Sequence, residues 1–396
     1  MYKRKALVKR LDIPENRRIL VISDIHGNME YFRGVLEKAG FCDEDTLIID
    51  GDFIEKGSDS LGVLRYVMEL SKKGNVHAVC GNCDDWPIIF KADEKVDEQI
   101  LEYILRKKRG ILWEMCNAAG MDPFEIESFT ACKKELRRIF KAEWDFLESL
   151  PHAIETENFL FAHSGADPEK PLDEHLIQDF VRCDHLLTTD KSFEKWTVVG
   201  HWPVMLYGEN IVCANPIIER ERKIISIDGA CVLKDDGQLN CLIIPNIMSE
   251  DFSYVAYDHF ATAEVLEAQQ RSEKSYYIRW GDSKVHVMQR GEEFSHCKHE
   301  RTGYEMDILT KYLFSDNEFT ECNDCTDLVL ELKPGDVVSV VEKTSRGWFV
   351  KHNGTSGWYY GELKMLTEPE DFIPPPKQKK WDNNWQNNFA KYRKKN

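Results

Sequence analysis

Short apolar runs, each closed by a polar turn, recur through the first 245 or so residues. Residues 19–23, 46–50 and 76–80 are nearly unbroken β-rich runs, the length and character of strands buried on both faces. Between them, residues 29–39 and 61–72 carry apolar positions at helical spacing. This βαβαβ rhythm predicts an α/β sheet. Residues 98–149 read mostly helical, with a break at 120–123, and strands resume at 158–162, 196–199, 223–227 and 239–244.

After Pro245 the pattern changes. A helical piece is expected near 261–272, then strands at 276–280 and 284–289. Residues 328–366 read as short strands with turn residues between them, and Pro374-Pro375-Pro376 stops regular structure. Trp381, Trp385, Phe389 and Tyr392 then recur at helical spacing among basic residues. That face is expected to dock on the acidic body, with an anionic membrane or nucleic-acid surface as the alternative. The organisation that follows is a catalytic unit at 1–248 with a helical insertion at 95–150, a connecting segment at 249–300, a small β unit at 301–368 and a Pro-rich basic tail at 369–396.

Composition narrows the function. The chain carries a net charge of -17, which disfavours broad nucleic-acid binding, although residues 377–396 alone hold seven Lys or Arg against one Asp. No stretch approaches the ~20 apolar residues of a membrane span. No apolar region follows the basic start, so no secretory signal is expected, and the twelve scattered cysteines read as reduced thiols of a cytoplasmic protein. His296, Cys297 and His299 with Cys322 and Cys325 could build a zinc knuckle, but the irregular histidine spacing favours free thiols.

The candidate chemistry sits at strand ends, where such sheets carry their functional loops. Asp24 and His26 follow the first run, Asp52 the second, Asn82 and Asp84 the third, His163 the fourth and His201 the fifth. Five clusters, each offering Asp, Asn or His, can converge on a two-metal centre. There a bridging carboxylate holds two ions and a shared water becomes the nucleophile. Imidazole, carboxylate and amide oxygen suit manganese, iron, zinc or nickel better than calcium.

As an ordered set, Ser23-Asp24-Ile25-His26-Gly27, Gly51-Asp52 through Gly57, Gly81-Asn82-Cys83-Asp84, His163-Ser164-Gly165 and Gly200-His201-Trp202 resemble the calcineurin-like metallophosphoesterase superfamily. Within it they look like the serine/threonine-phosphatase-like branch, whose pattern is GDxHG, GDxxDRG, GNHE, HxG and GHT. The resemblance covers about residues 17–245. It implies two packed mixed β-sheets flanked by helices. It also implies two divalent metal ions, manganese first, held by Asp24, His26, Asp52, Asn82, His163 and His201, with Asp52 bridging. Arg182, in Phe180-Val181-Arg182, would hold the phosphate as a guanidinium fork.

Three positions depart from the pattern: Glu55 and Lys56 stand where the family has Asp and Arg, and Cys83 stands where it has the leaving-group His. A thiol is a poor substitute for an imidazolium as an acid. The expected reaction is therefore two-metal hydrolysis of phosphate esters, a phosphomonoesterase acting on a phosphorylated protein or small molecule. A phosphodiesterase or dinucleoside polyphosphate hydrolase is the alternative that Cys83 favours. Residues 328–366, with Gly347-Trp348 and Gly357-Trp358, resemble a bacterial SH3-like domain that could recruit a protein partner; a binding protein acting through that module is the non-enzyme alternative.

Overall fold

A computed structural model describes residues 4–87, 94–316 and 319–367. Two mixed sheets pack face to face. In the first, β2 (Ile19–Ile22), β3 (Thr46–Asp50) and β4 (Val76–Val79) run parallel. Antiparallel to β2 lies β11 (Leu239–Ile244), which pairs with β12 (Ser253–Tyr257) at the edge. The second sheet has the order β1 (Val8–Arg10), β5 (Ala153–Glu155), β6 (Phe159–Phe161), β7 (Trp196–Val199), β10 (Ile224–Ser226) and β9 (Ile217–Glu219).

Strand alternation explains the layering. Ile19, Val21 and Ile48 face Phe159, Phe161, Val198 and Ile225 across the inter-sheet core. Their neighbours Leu20, Ile22, Leu47 and Ile49 turn outward onto helices α1 (Met29–Ala39) and α2 (Ser60–Ser71). Both faces are covered, so these strands read as continuous apolar runs. The start of α1 is capped by the Asn28 side chain, and Gly40 at φ 61° ends it. The helical insertion comprises α3 (Glu94–Lys107), α4 (Ile111–Ala118), α5 (Phe129–Ile139) and α6 (Lys141–Ser149). A short helix, α7 (Ile177–Val181), packs Phe180 and Val181 on the outer face of the second sheet.

The remaining described residues are built mainly from β-strands. One antiparallel sheet has the order β24 (Leu363–Met365), β13 (Thr262–Val265), β21 (Val337–Lys343), β22 (Trp348–His352), β23 (Thr355–Tyr359) and β8 (Val212–Cys213). A second has the order β17 (Glu305–Leu309), β16 (Phe294–His299), β15 (Lys284–Gln289), β19 (Phe319–Cys322) and β18 (Leu313–Asp316). A two-stranded ladder joins β14 (Tyr277–Ile278) to β20 (Cys325–Thr326).

Three expectations are corrected here. The segment 261–272 contains strand β13, not a helix: Ala263 and Val265 alternate into a core with Leu330 and Val338, and that burial outweighs the helix propensity of Ala, Glu and Leu. The division at 300/301 falls in the turn of the β16–β17 hairpin, whose strands pair residue by residue. The segment 301–368 is not a self-contained unit, because its strands belong to three sheets, each of which takes in strands from outside that range. The tail residues Trp381, Trp385, Phe389 and Tyr392 lie outside the described residues. Among the described residues no helix is long and apolar enough to cross a membrane.

Candidate metal centre

The strand ends deliver their polar residues through unusual backbone. Asp24, His26, Asp52 and His201 all have positive φ, between 51° and 66°, a region costly for non-glycine residues and often found at functional sites. Each sharp turn tips its side chain into the space above the sheet ends. Glycines make room: a Cβ on Gly51 would strike the His163 ring, and one on Gly200 would collide with Ser23 Oγ and Asp24 Oδ2.

Inside this space Asp24, Asp52 and His163 bring one ligand atom each to within 4.8 Å of one another, and so do His26, Asp52 and Cys83. Asp52 belongs to both groups. Nδ1–H of His163 donates to the Asp50 carbonyl at 2.9 Å, leaving Nε2 facing Asp52 Oδ1 at 3.3 Å and Asn82 Oδ1 at 3.3 Å. This is the outer-shell support that fixes a ligand imidazole's tautomer. The backbone N–H of Cys83 donates to Asp52 Oδ1 at 2.7 Å, and that of His201 donates to Asp24 Oδ2 at 2.9 Å. The His201 ring lies at the rim, with Nε2 2.7 Å from Asp184 Oδ1.

The electrostatics call for cations. Asp24, Asp50, Asp52, Asp84 and Asp228 are all buried. Burial raises Asp24, raises Asp228 well above the usual carboxylate range and pushes Asp50 up to about 8. Burial works against Asp52 too, but His163 beside it holds its carboxyl well below the usual range. Burial opposes a charge on His163, yet Asp52, Asp24 and Asp50 drive it up. His26 is pushed down to about 3 by burial and by Lys56, so its imidazole is neutral. Among the described residues, Asp24 Oδ1, His26 Nε2, both Asp50 carboxylate oxygens and Asp228 Oδ2 are buried without a hydrogen-bond partner. Buried polar atoms left this way are costly unless an ion satisfies them. These residues fit divalent metals.

The other expected residues are arranged unequally. Lys56 is half-buried, and although burial lowers it, Cys83, Asp52, Asp24 and Asp228 together raise its pKa. Glu55 is turned from the centre: its Oε1 accepts the N–H of Ile111 at 2.7 Å, at the start of α4. Cys83 Sγ accepts from Asn82 Nδ2 at 3.3 Å, and burial followed by Asp52 pushes its thiol well up. Arg182 is exposed on the loop after α7, which is tied to the centre because Ser164 N–H donates to the Phe180 carbonyl at 2.7 Å and Cys183 N–H donates to Ser164 Oγ at 2.7 Å.

Two kinds of residue have parts that the sequence reading did not assign. Asp84 is a staple, its Oδ2 accepting the N–H of Asp52 at 2.7 Å and of Gly81 at 2.8 Å. Asp50 and Asp228 contribute buried carboxyl groups; an acidic residue closing an apolar run was the available signal for both. The zinc-knuckle residues do not converge on a metal: His299 spends both ring nitrogens on Thr302 Oγ1 and the Asp282 carbonyl, and Cys322 and Cys325 lie 4.0 Å apart as free thiols.

Fold and site together define a metal-dependent phosphoesterase. The family model for calcineurin-like phosphoesterases matches residues 17–229, more than half of the chain, and the chain belongs to that family. A bis(5'-nucleosyl)-tetraphosphatase, symmetrical, of Buchnera aphidicola subsp. Acyrthosiphon pisum is 50% identical over 64 residues, 16% of this chain and 23% of the relative. The chain thus spans under a quarter of that relative's length. A protein of the same name from Vibrio parahaemolyticus is 23% identical over 265 residues, 54% of this chain and 90% of the relative. A protein serine/threonine phosphatase structure from Saccharomyces cerevisiae is similar at 14% identity and a TM-score of 0.41, covering 64% of this chain and 84% of that one.

Proposed function

We propose that this phosphoesterase cleaves phosphoanhydrides or phosphodiesters whose leaving group is a weak base, in preference to alkyl phosphomonoesters. One observation carries the reading: the position of the leaving-group acid holds Cys83, whose thiol is pushed up, and its neighbour Glu55 faces helix α4. A phosphate or aryl oxyanion departs without a proton; a serine alkoxide does not. The names of the Buchnera and Vibrio relatives point in the same direction.

The chain's own residues have assigned parts. Asp24, His26, Asp52, Asn82, His163 and His201 would hold two divalent ions, manganese by our proposal, with Asp52 shared. When bound, the pair supplies an activated water and Lewis-acid stabilisation of the phosphoryl oxygens. The Asp50 carbonyl keeps the proton of His163 on Nδ1, so Nε2 stays available. Asp84 fixes the Asp52 and Gly81 backbones. Lys56 and Arg182 would neutralise substrate phosphate, Arg182 from an exposed position.

The test is a manganese-loaded assay of p-nitrophenyl phosphate, bis-p-nitrophenyl phosphate, a dinucleoside tetraphosphate and a phosphoserine peptide, with Asp52→Asn as control. Cleavage of the tetraphosphate or diester well above the phosphopeptide supports the proposal. A preference for the phosphopeptide overturns it in favour of a serine/threonine-phosphatase-like monoesterase.

A further inference from the structure

An aromatic cluster adjoins the metal centre, and one of its members comes from the distant all-β region. Trp202 follows His201 directly in sequence. Its ring centroid lies 3.8 Å from that of His185 and 5.6 Å from that of Trp280. Trp280 follows β14, and its position is imposed by the backbone. Tyr277 N–H donates to the Glu209 carbonyl at 3.1 Å, Ser275 Oγ donates to the Asn210 carbonyl at 2.9 Å, and the Arg279 guanidinium donates to the Gly208 carbonyl. Three bonds thus clamp residues 275–279 onto the loop that begins at His201.

Despite this anchoring Trp280 stays 42% exposed, an unusual cost for a large ring fixed in place. The residues beside the cluster belong to the phosphate side of the site: the loop Arg182–His185 carries the exposed Arg182, then Asp184 on His201, then His185 on Trp202. Cationic phosphate-binding groups and a rigid ring surface therefore share one rim.

We propose that Trp280, backed by Trp202 and His185, is a stacking shelf for the base of a nucleoside phosphate whose phosphates lie at the metal centre. This rests on the phosphoesterase reading above and names its substrate class. The indole N–H of Trp202 is buried, so the cluster presents ring faces rather than that donor. Stacking accepts any base, because every base has a π-face. The shelf therefore predicts affinity for nucleotides with little discrimination between adenine and guanine.

The experiment compares binding of α,β-methylene-ADP with that of methylenediphosphonate, which lacks the nucleoside, by titration calorimetry on the full chain loaded with manganese. Trp280→Ala is expected to weaken the nucleotide by about tenfold or more while leaving the diphosphonate unchanged. Trp280→Phe, with its smaller ring, is expected to bind the nucleotide with an affinity between those of wild type and Trp280→Ala, and the guanine analogue to bind within a few-fold of the adenine one. Equal effects on both ligands, or no effect on either, overturn the shelf. Trp280→Phe keeps the test decisive where Trp280→Ala unfolds: wild-type-like diphosphonate binding with intermediate nucleotide affinity supports stacking, and unchanged nucleotide affinity rules it out. Wild-type protein that binds nucleotide over diphosphonate but hydrolyses no phosphate ester supports the shelf and faults the reaction reading instead.

Discussion

Asp84, on the loop after β4, accepts the backbone N–H of Asp52, on the loop after β3, at 2.7 Å. The same oxygen takes the Gly81 N–H at 2.8 Å, and the other takes the Ile54 N–H at 3.3 Å. One buried side chain therefore holds the backbone of Asp52, the residue that both candidate donor groups share. Asp84→Ala leaves those N–H groups without their acceptor. Metal affinity is expected to fall by about 10–100-fold, the usual consequence of losing outer-shell support. Manganese titration calorimetry measures it, and an unchanged affinity would remove Asp84 from the site.

Metal removal tests the charge argument directly. With five buried carboxylates around the centre, chelation should destabilise the fold. Ligand linkage gives about 2.7 kcal/mol of stabilisation at a hundredfold excess over Kd. A thermal melt in excess manganese is expected above that in EDTA. Asp52→Asn should abolish the difference, because it weakens both donor groups at once. A melt insensitive to chelator in wild-type protein would contradict a metal centre of this kind.

Legibility from sequence follows the same physics. Strands β3, β7 and β11 and helix α1 match their expected limits, because strands covered on both faces and a capped amphipathic helix leave strong local patterns. The polar residues that converge here were visible as residue types at strand ends. What was invisible depends on distant partners. Ala263 and Val265 become strand residues only because β21 and β24 flank them. Glu55 looks catalytic in its motif, yet its carboxylate meets Ile111, far along the chain. Trp280, beside Trp202, has no motif at all.

Glu55 gives a pH signature. Burial pushes it up to about 8 from an ordinary 4.5, while the Ile111 N–H pulls the other way. The folded state therefore binds a proton that the unfolded state releases. That contribution is complete below pH 4.5 and is lost as pH rises through about 8. Over that window one retained proton costs about 1.4 kcal/mol of stability per pH unit. Urea melts of chelator-treated Glu55→Gln protein should lose this slope relative to wild type. Parallel pH profiles for the two would show that Glu55 is ionised in the fold.

Cys83→His restores the residue type that the family motif carries at this position, and it isolates the chemical consequence of the thiol. Cys83 Sγ lies within 4.8 Å of the ligand atoms of His26 and Asp52, so an imidazole there reaches the edge of the metal centre. Imidazole titrates near neutrality, whereas burial and Asp52 hold the thiol well above its ordinary range. A positioned acid contributes roughly 10²–10⁴-fold where the leaving group needs a proton. The variant is therefore expected to raise kcat/KM on an alkyl phosphomonoester by about a hundredfold, with little change on p-nitrophenyl substrates, whose leaving group needs none. The ratio of alkyl to aryl rates is the quantity to measure. It cancels differences in metal loading and folding between the two proteins, so a constant ratio would show that proton donation at Cys83 does not set leaving-group preference.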